Sequence, residues 1–126
     1  MSADPYSPAV RALFGDPVHA GPIEGAHSVE IDDQGLRIRL FGLSAEGVIA
    51  RLGFLAWGCP HVIAAAEAFC REFEGCDPAE LLDFSSSGLM QSLSVPVEKT
   101  GRILVLEDAV RSLGNILRGS LTKRED

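Results

Sequence analysis

The apolar positions of this chain change period several times, and each change marks an element. Leu36, Ile38 and Leu40 alternate with Arg37 and Arg39, the cleanest period of two in the sequence, which predicts a strand with one buried face. His27 to Ile31 alternates more weakly, as a short edge strand would, and Asp32-Asp33-Gln34-Gly35 reads as the turn between the two. Ser44-Ala45-Glu46-Gly47 turns the chain back, and Val48 opens a third strand that ends at Trp57 and carries Leu52, Phe54 and Ala56 on one side. Short turns between consecutive strands predict an antiparallel meander. Its Leu36, Ile38 and Leu40 face needs helices to cover it.

The period then lengthens. Val62, Ile63, Ala66, Phe69, Cys70 and Phe73 recur at three to four, forming one face of a helix from His61 to Glu74, with Pro60 at its start and Gly75 at its stop. Asp77-Pro78 caps and starts a shorter helix to about Phe84, Ser85-Ser86-Ser87-Gly88 breaks it as an inter-helix turn, and Leu89 to Leu93 adds a further helical turn. Thr100 caps a long last helix whose face is Ile103, Leu106, Val110, Leu113 and Leu117, flanked by Ala109 and Ile116, ended by Gly119 and followed by a frayed polar tail from Lys123 to Asp126. Near the front, Ser7 caps a short helix with Pro8 in its first turn and Gly15 at its end, and Asp16 to Pro22 is loop chemistry. The reading is one α+β domain over residues 1–126. It has a three-stranded antiparallel sheet, helices packed on one face, and a long C-terminal helix.

Composition narrows the function classes. A net charge of −7, with Lys and Arg scattered rather than clustered, offers no track for a phosphate backbone, so nucleic acid is not an expected partner. No secretory pattern opens the chain and no apolar run approaches the roughly 20 residues that span a bilayer, so no membrane association and a cytoplasmic location are expected. Cys59, Cys70 and Cys76 make an odd count without a Cys-x-x-Cys pair, which argues for free thiols and against a self-contained zinc site. His19 and His27, in or just after the loop, read as solvated surface groups.

Candidate chemistry centres on Cys59. It sits between the end of the third strand and the start of the helix that follows, where unpaired backbone N–H groups and the helix dipole favour an anion and so a thiolate. The bland alternative is a small apolar filler, the commonest use of a cysteine near a helix start. Cys70 falls on the apolar helix face and reads as core, Cys76 as an exposed bystander, and His61 as a first-turn helix residue rather than a general base for a thiol enzyme.

Four stretches in this order resemble the IscU/NifU-type scaffold proteins on which iron–sulfur clusters are assembled. They are Tyr6-Ser7 with Asp16-Pro17 and Gly21; Glu46-Gly47-Val48-Ile49; Trp57-Gly58-Cys59-Pro60 with Ile63-Ala64-Ala65; and Val95-Pro96-Val97-Glu98-Lys99 leading to Ile103-Leu104-Val105 and Glu107-Asp108-Ala109. The resemblance implies that fold over nearly the whole chain, and a non-enzymatic role in cluster assembly. A typical member binds its cluster or zinc through three cysteines and an aspartate or histidine, because soft thiolates hold iron. Only the middle cysteine is present here, as Cys59. The first falls within Asp33-Gln34-Gly35, on a shortened connection, and the family's His-Cys pair falls on Gly101 and Arg102. One thiol, one carboxylate and a guanidinium do not make a cluster site, since arginine cannot act as a ligand.

The resemblance therefore implies a degenerate scaffold-like protein, with no intact cluster and at most weak iron or zinc binding. Cys59, Asp33 or Asp32, and His27 would supply three ligands if the shortened connection folded over Cys59. Alternatively Arg102 beside Cys59 would stabilise the thiolate and suit it to carry persulfide sulfur. The partners implied are a cysteine desulfurase or other assembly proteins. The Leu-Pro-Pro-Val-Lys loop that a heat-shock chaperone recognises in the family reads Val95-Pro96-Val97-Glu98-Lys99 here, so chaperone docking is not expected. A non-catalytic interaction or regulatory module that keeps the scaffold surface is the competing reading.

Overall fold

The fold was obtained as a computed structural model that describes residues 8–33, 35–57, 60–93, 95 and 100–124, with the side chains of Phe14, Thr100 and 120–124 outside that description. Ser7, the Gly58-Cys59 pair, the Pro96 to Lys99 stretch and the tail at 125–126 lie outside the described residues. A short helix α1 (Pro8–Gly15) is followed by the strands β1 (His27–Asp33), β2 (Leu36–Ala45) and β3 (Val48–Trp57). Then come α2 (Pro60–Phe73), a 3-10 helix (Pro78–Asp83), α3 (Ser87–Ser92) and α4 (Thr100–Arg124).

The strands pair antiparallel in the order β1-β2-β3. The first turn is tighter than its sequence suggests. Asp32 and Asp33 belong to β1, pairing with Arg37 and Leu36, so only Gln34 and Gly35 connect the strands. Gly35 has φ +75°, the conformation that a two-residue hairpin requires. The second hairpin likewise turns on Glu46-Gly47 alone, with strand pairing out to Ala45 and Val48. A register shift at Leu43/Ser44 leaves Ala50 without a facing residue, and this bulge lets Ile49 and Leu52 both point inward although they are three apart.

Leu36, Ile38 and Leu40 are fully buried under helices, as their alternation predicts. The stripe Ile103, Leu106, Val110, Leu113 and Leu117 of α4 is wholly buried, with Ala109 inside and Ile116 at the margin. Leu113 and Leu117 lie against Gly42, where an added Cβ would stand 3.1 Å from Leu117 Cδ1. Gly119 does not end α4, which continues to Arg124; a glycine in a helix costs only about 1 kcal/mol and does not by itself break it. Asp77 caps the 3-10 helix through a bond from Ala79 N (2.8 Å), as expected, whereas Ser87 lies inside α3 instead of in the turn before it.

The outer edge of β3 is closed from Ile49 to Phe54. Gly75 N donates to Ile49 O and Ile49 N to Cys76 O, and farther along Gly21 N donates to Phe54 O and Phe54 N to His19 O. Between them Leu52 N donates to Glu74 Oε2 (2.9 Å). An open edge would be a template for a foreign strand; here a loop and a helix end occupy it. Among the described residues no helix is long and apolar enough to cross a membrane.

Candidate functional site

At one end of the sheet the Asp33–Leu36 hairpin turns, Trp57 closes β3 and Pro60 opens α2 two residues on; Arg102, in the first turn of α4, is half-buried. Cys59 itself lies outside the described residues, between Trp57 and Pro60. The register decides among its proposed companions. Asp33 pairs with the buried Leu36 and so shares the helix-covered face of the sheet at this end. Asp32 pairs with Arg37, whose guanidinium binds it at 3.0 Å, and faces the opposite side. His27 pairs with Gly42 at the far end of β1, roughly 20 Å from Asp33 along the strand. The three-ligand arrangement with His27 is therefore corrected: a two-residue hairpin cannot fold over, and His27 cannot share one ion with Asp33. Among the described residues no group of three or more His, Cys, Asp or Glu is placed to hold a metal ion.

On the face away from the helices, Trp57 is half exposed, and the Arg37 guanidinium stands 5.9 Å from its ring centroid. With Asp32 and Gly35 these residues line a cleft of about 260 Å³. The other thiols do not contribute. Cys70 is fully buried in α2, and burial, followed by the charges of Glu67 and Glu74, pushes its pKa well up. Cys76 donates to Glu72 O, and burial, then Glu80 and Glu72, raise its pKa too.

The most elaborate polar cluster was not legible as such. His19, read as a solvated loop residue, is held on three sides. Its backbone N–H donates to Glu67 Oε1 (2.8 Å), Nδ1 to Glu67 Oε2 (2.6 Å) and Nε2 to Glu74 Oε1 (3.2 Å). Arg71 Nε also donates to Glu67 Oε2 (2.8 Å), and Arg71 Nη2 to Asp16 O (3.1 Å). Glu67 is completely buried. Burial favours the neutral acid, but the bonds from His19 and Arg71 outweigh it and hold the Glu67 carboxyl below its usual range. Burial likewise pulls His19 down, and the bonds and charges of Glu67 and Glu74 carry it above its usual value. With both ring nitrogens on carboxylates, the imidazolium is the form that satisfies the cluster. Its donors and acceptors are used in clasping the 16–26 loop onto α2 and the β3 edge. One signal was available: Glu67 lies among Ile63, Ala66 and Cys70 on the apolar helix face, and a buried carboxylate requires a charged partner.

No family model matches the sequence, and no curated protein matches it. Solved structures do match. The N-terminal domain of a nitrogen-fixing NifU-like protein from Brucella abortus superposes with a TM-score of 0.67 at 14% identity, over 85% of this chain and 90% of that one. A hypothetical protein gives 0.63 at 14% identity, over 84% of this chain and 96% of that one. A protein assigned as an iron–sulfur cluster assembly scaffold for the SUF system, from Fervidobacterium islandicum AW-1, gives 0.57 at 20% identity, over 84% and 82%. The chain has the fold of the NifU N-terminal and SUF-type scaffold domain, as the resemblance of its four stretches implied.

Proposed function

We propose that the chain is a degenerate iron–sulfur cluster assembly scaffold-like protein, cytoplasmic and not an enzyme, which carries at most a weakly held metal ion or one sulfur atom on Cys59. The observation that supports this reading is the two-residue connection between Asp33 and Leu36: it leaves Asp33 but no thiol at the Trp57 end of a scaffold-type sheet. A thiolate with a carboxylate makes a poor iron site, because tight binding of iron draws on several soft ligands. Sulfur transfer asks for less. The Cys59 thiolate would attack the outer sulfur of a donor persulfide, break its S–S bond, take that sulfur as Cys59–S–SH and release the donor as a thiolate. Arg102 at the start of α4 would favour the attacking anion.

Anaerobic incubation with a cysteine desulfurase and cysteine, followed by intact-mass and peptide mass spectrometry, tests this. One added sulfur on Cys59, absent in Cys59→Ser, is the expected result. An unmodified Cys59 together with no retained iron after incubation with ferrous iron and sulfide would refute the reading. A second reading, an interaction module that binds the desulfurase or another assembly protein without carrying sulfur, is favoured by the half-exposed Trp57 beside Arg37, the residue types that anchor interfaces. Partner binding kept by Cys59→Ser and lost by Trp57→Ala would distinguish it.

A further inference from the structure

Two covers close the β3 edge, and they are fastened differently. Gly75 and Cys76, which bond to Ile49, are the direct link between α2 and the 3-10 helix, elements whose Phe69, Cys70 and Leu81 lie in the core. The 16–26 loop lacks that anchorage. Of its side chains only Ile23 is buried, and Val18 is 64% exposed. Its turns are its own: Val18 N donates to Asp16 O, Ala20 N to Pro17 O and Ala26 N to Ile23 O. It meets β3 through an isolated parallel bridge, Ala20 against Phe54, made by the bonds from Gly21 N to Phe54 O and from Phe54 N to His19 O. It is further fastened by the Arg71 bond to Asp16 O and by the three bonds between His19 and the carboxylates of Glu67 and Glu74. A segment that buries so little apolar surface opens locally at a lower cost than the fold around it.

We propose that the 16–26 loop is a proton-operated strap: it stays fastened while His19 is an imidazolium, and when His19 releases its proton to solvent it lifts from β3 as a unit, uncovering the Phe54 edge while the Gly75–Cys76 cover and the core stay folded. The geometry supplies the trigger. A neutral imidazole has one N–H. Kept on Nδ1 for Glu67 Oε2 at 2.6 Å, that proton leaves the Nε2 lone pair 3.2 Å from Glu74 Oε1, acceptor against acceptor. Glu74 is held in place from its other side, where Oε2 accepts from Leu52 N. The charged and titratable groups around the ring are Glu67, Cys70, Arg71 and Glu74 from α2 and its end, Arg51 from β3, and Asp16 in the loop. The buried Cys70 thiol has its pKa pushed well up, and Glu67 loses its charge only below its ordinary 4.5. The folded-state pKa of His19 lies above 6.5, so the strap is shut between about pH 4.5 and 6.5 and opens as the pH rises through that folded value. Nothing in this inference depends on Cys59.

The test is amide hydrogen exchange of the full chain by NMR, expressed as protection relative to an unstructured chain at the same pH, in water and in urea below the unfolding transition. Gly21 and Phe54 N–H report the strap, and Ile49 and Gly75 N–H report the other cover of the same edge. The strap amides should be protected at least about tenfold less than the other two and respond little to urea, because a local opening exposes little surface. Their protection should fall about tenfold as the pH rises from 6 through the His19 titration, the worth of one hydrogen bond to a charged group. Glu74→Gln keeps an oxygen for Leu52 N and offers an N–H to the neutral Nε2, so its strap amides should lose less than about threefold over the same rise. His19→Gln should show low strap protection at pH 6 and no further fall. Four amides with one protection factor and one urea response would overturn the proposal, since the loop would then open only with the whole fold. So would strap protection that does not change with pH in the wild type, or a full tenfold fall retained in Glu74→Gln.

Discussion

Replacing His19 by alanine should destabilise the protein by an amount that depends on pH in a defined direction. The side chain donates to the wholly buried Glu67 at 2.6 Å and to Glu74 at 3.2 Å. Removing one member of a buried ion pair costs about 3–5 kcal/mol, but Glu67 would keep Arg71 and the residue-19 backbone N–H, so about 2–3 kcal/mol is expected near pH 6. In a domain of this size that is a fall in Tm of about 6–12 °C. The folded-state pKa of His19 lies above its ordinary 6.5. A raised pKa contributes stability that is fully present below the unfolded value and is lost as pH rises through the folded value. Glu67, held below its ordinary 4.5, contributes in the opposite sense: its share is present above that value and lost as pH falls through the folded one.

The clasp should therefore be strongest between about pH 4.5 and 6.5, and the difference between wild type and variant should shrink toward roughly 1 kcal/mol as the pH rises through the raised folded-state pKa of His19, where only neutral hydrogen bonding remains. Urea denaturation of both proteins at several pH values measures this. Arg71 lies beside Glu67, and Arg51 lines the same small cavity as His19 and Glu74. A difference that is flat across this range, or below about 0.5 kcal/mol at pH 6, would refute the clasp.

Two further outcomes follow from packing and burial. Gly53→Ala would place a Cβ 2.9 Å from Gly21 O and 3.1 Å from Ile23 Cδ1, so the loop must lift from β3; about 1–3 kcal/mol should be lost in thermal or chemical denaturation, and an unchanged Tm would contradict the close approach. Brief alkylation of the native protein with iodoacetamide, mapped by peptide mass spectrometry, should label Cys76 slowly and leave Cys70 untouched until denaturant is added, since the Cys70 thiol is fully buried with its pKa pushed well up.

What the sequence determined by itself was local and periodic. The alternation at Leu36, Ile38 and Leu40 and the three-to-four spacing of the α2 and α4 faces are consequences of strand and helix geometry, so each element and its buried side could be read without a partner in view. Turns were placed by Gly35 and Gly47, but their lengths were overestimated, because polar residues such as Asp32 and Ser44 pair in a strand as readily as they bend, and only the register shows which they do. The tertiary structure alone decided which polar groups meet. His19 and Glu67 are 48 positions apart, and no periodicity links a loop to a helix face. The same register that set Asp33 at the Trp57 end of the sheet carried His27 to the other end of β1. Charges acquire partners through the three-dimensional path of the chain, and that path is set by burying the apolar faces, which the local pattern encodes only one element at a time.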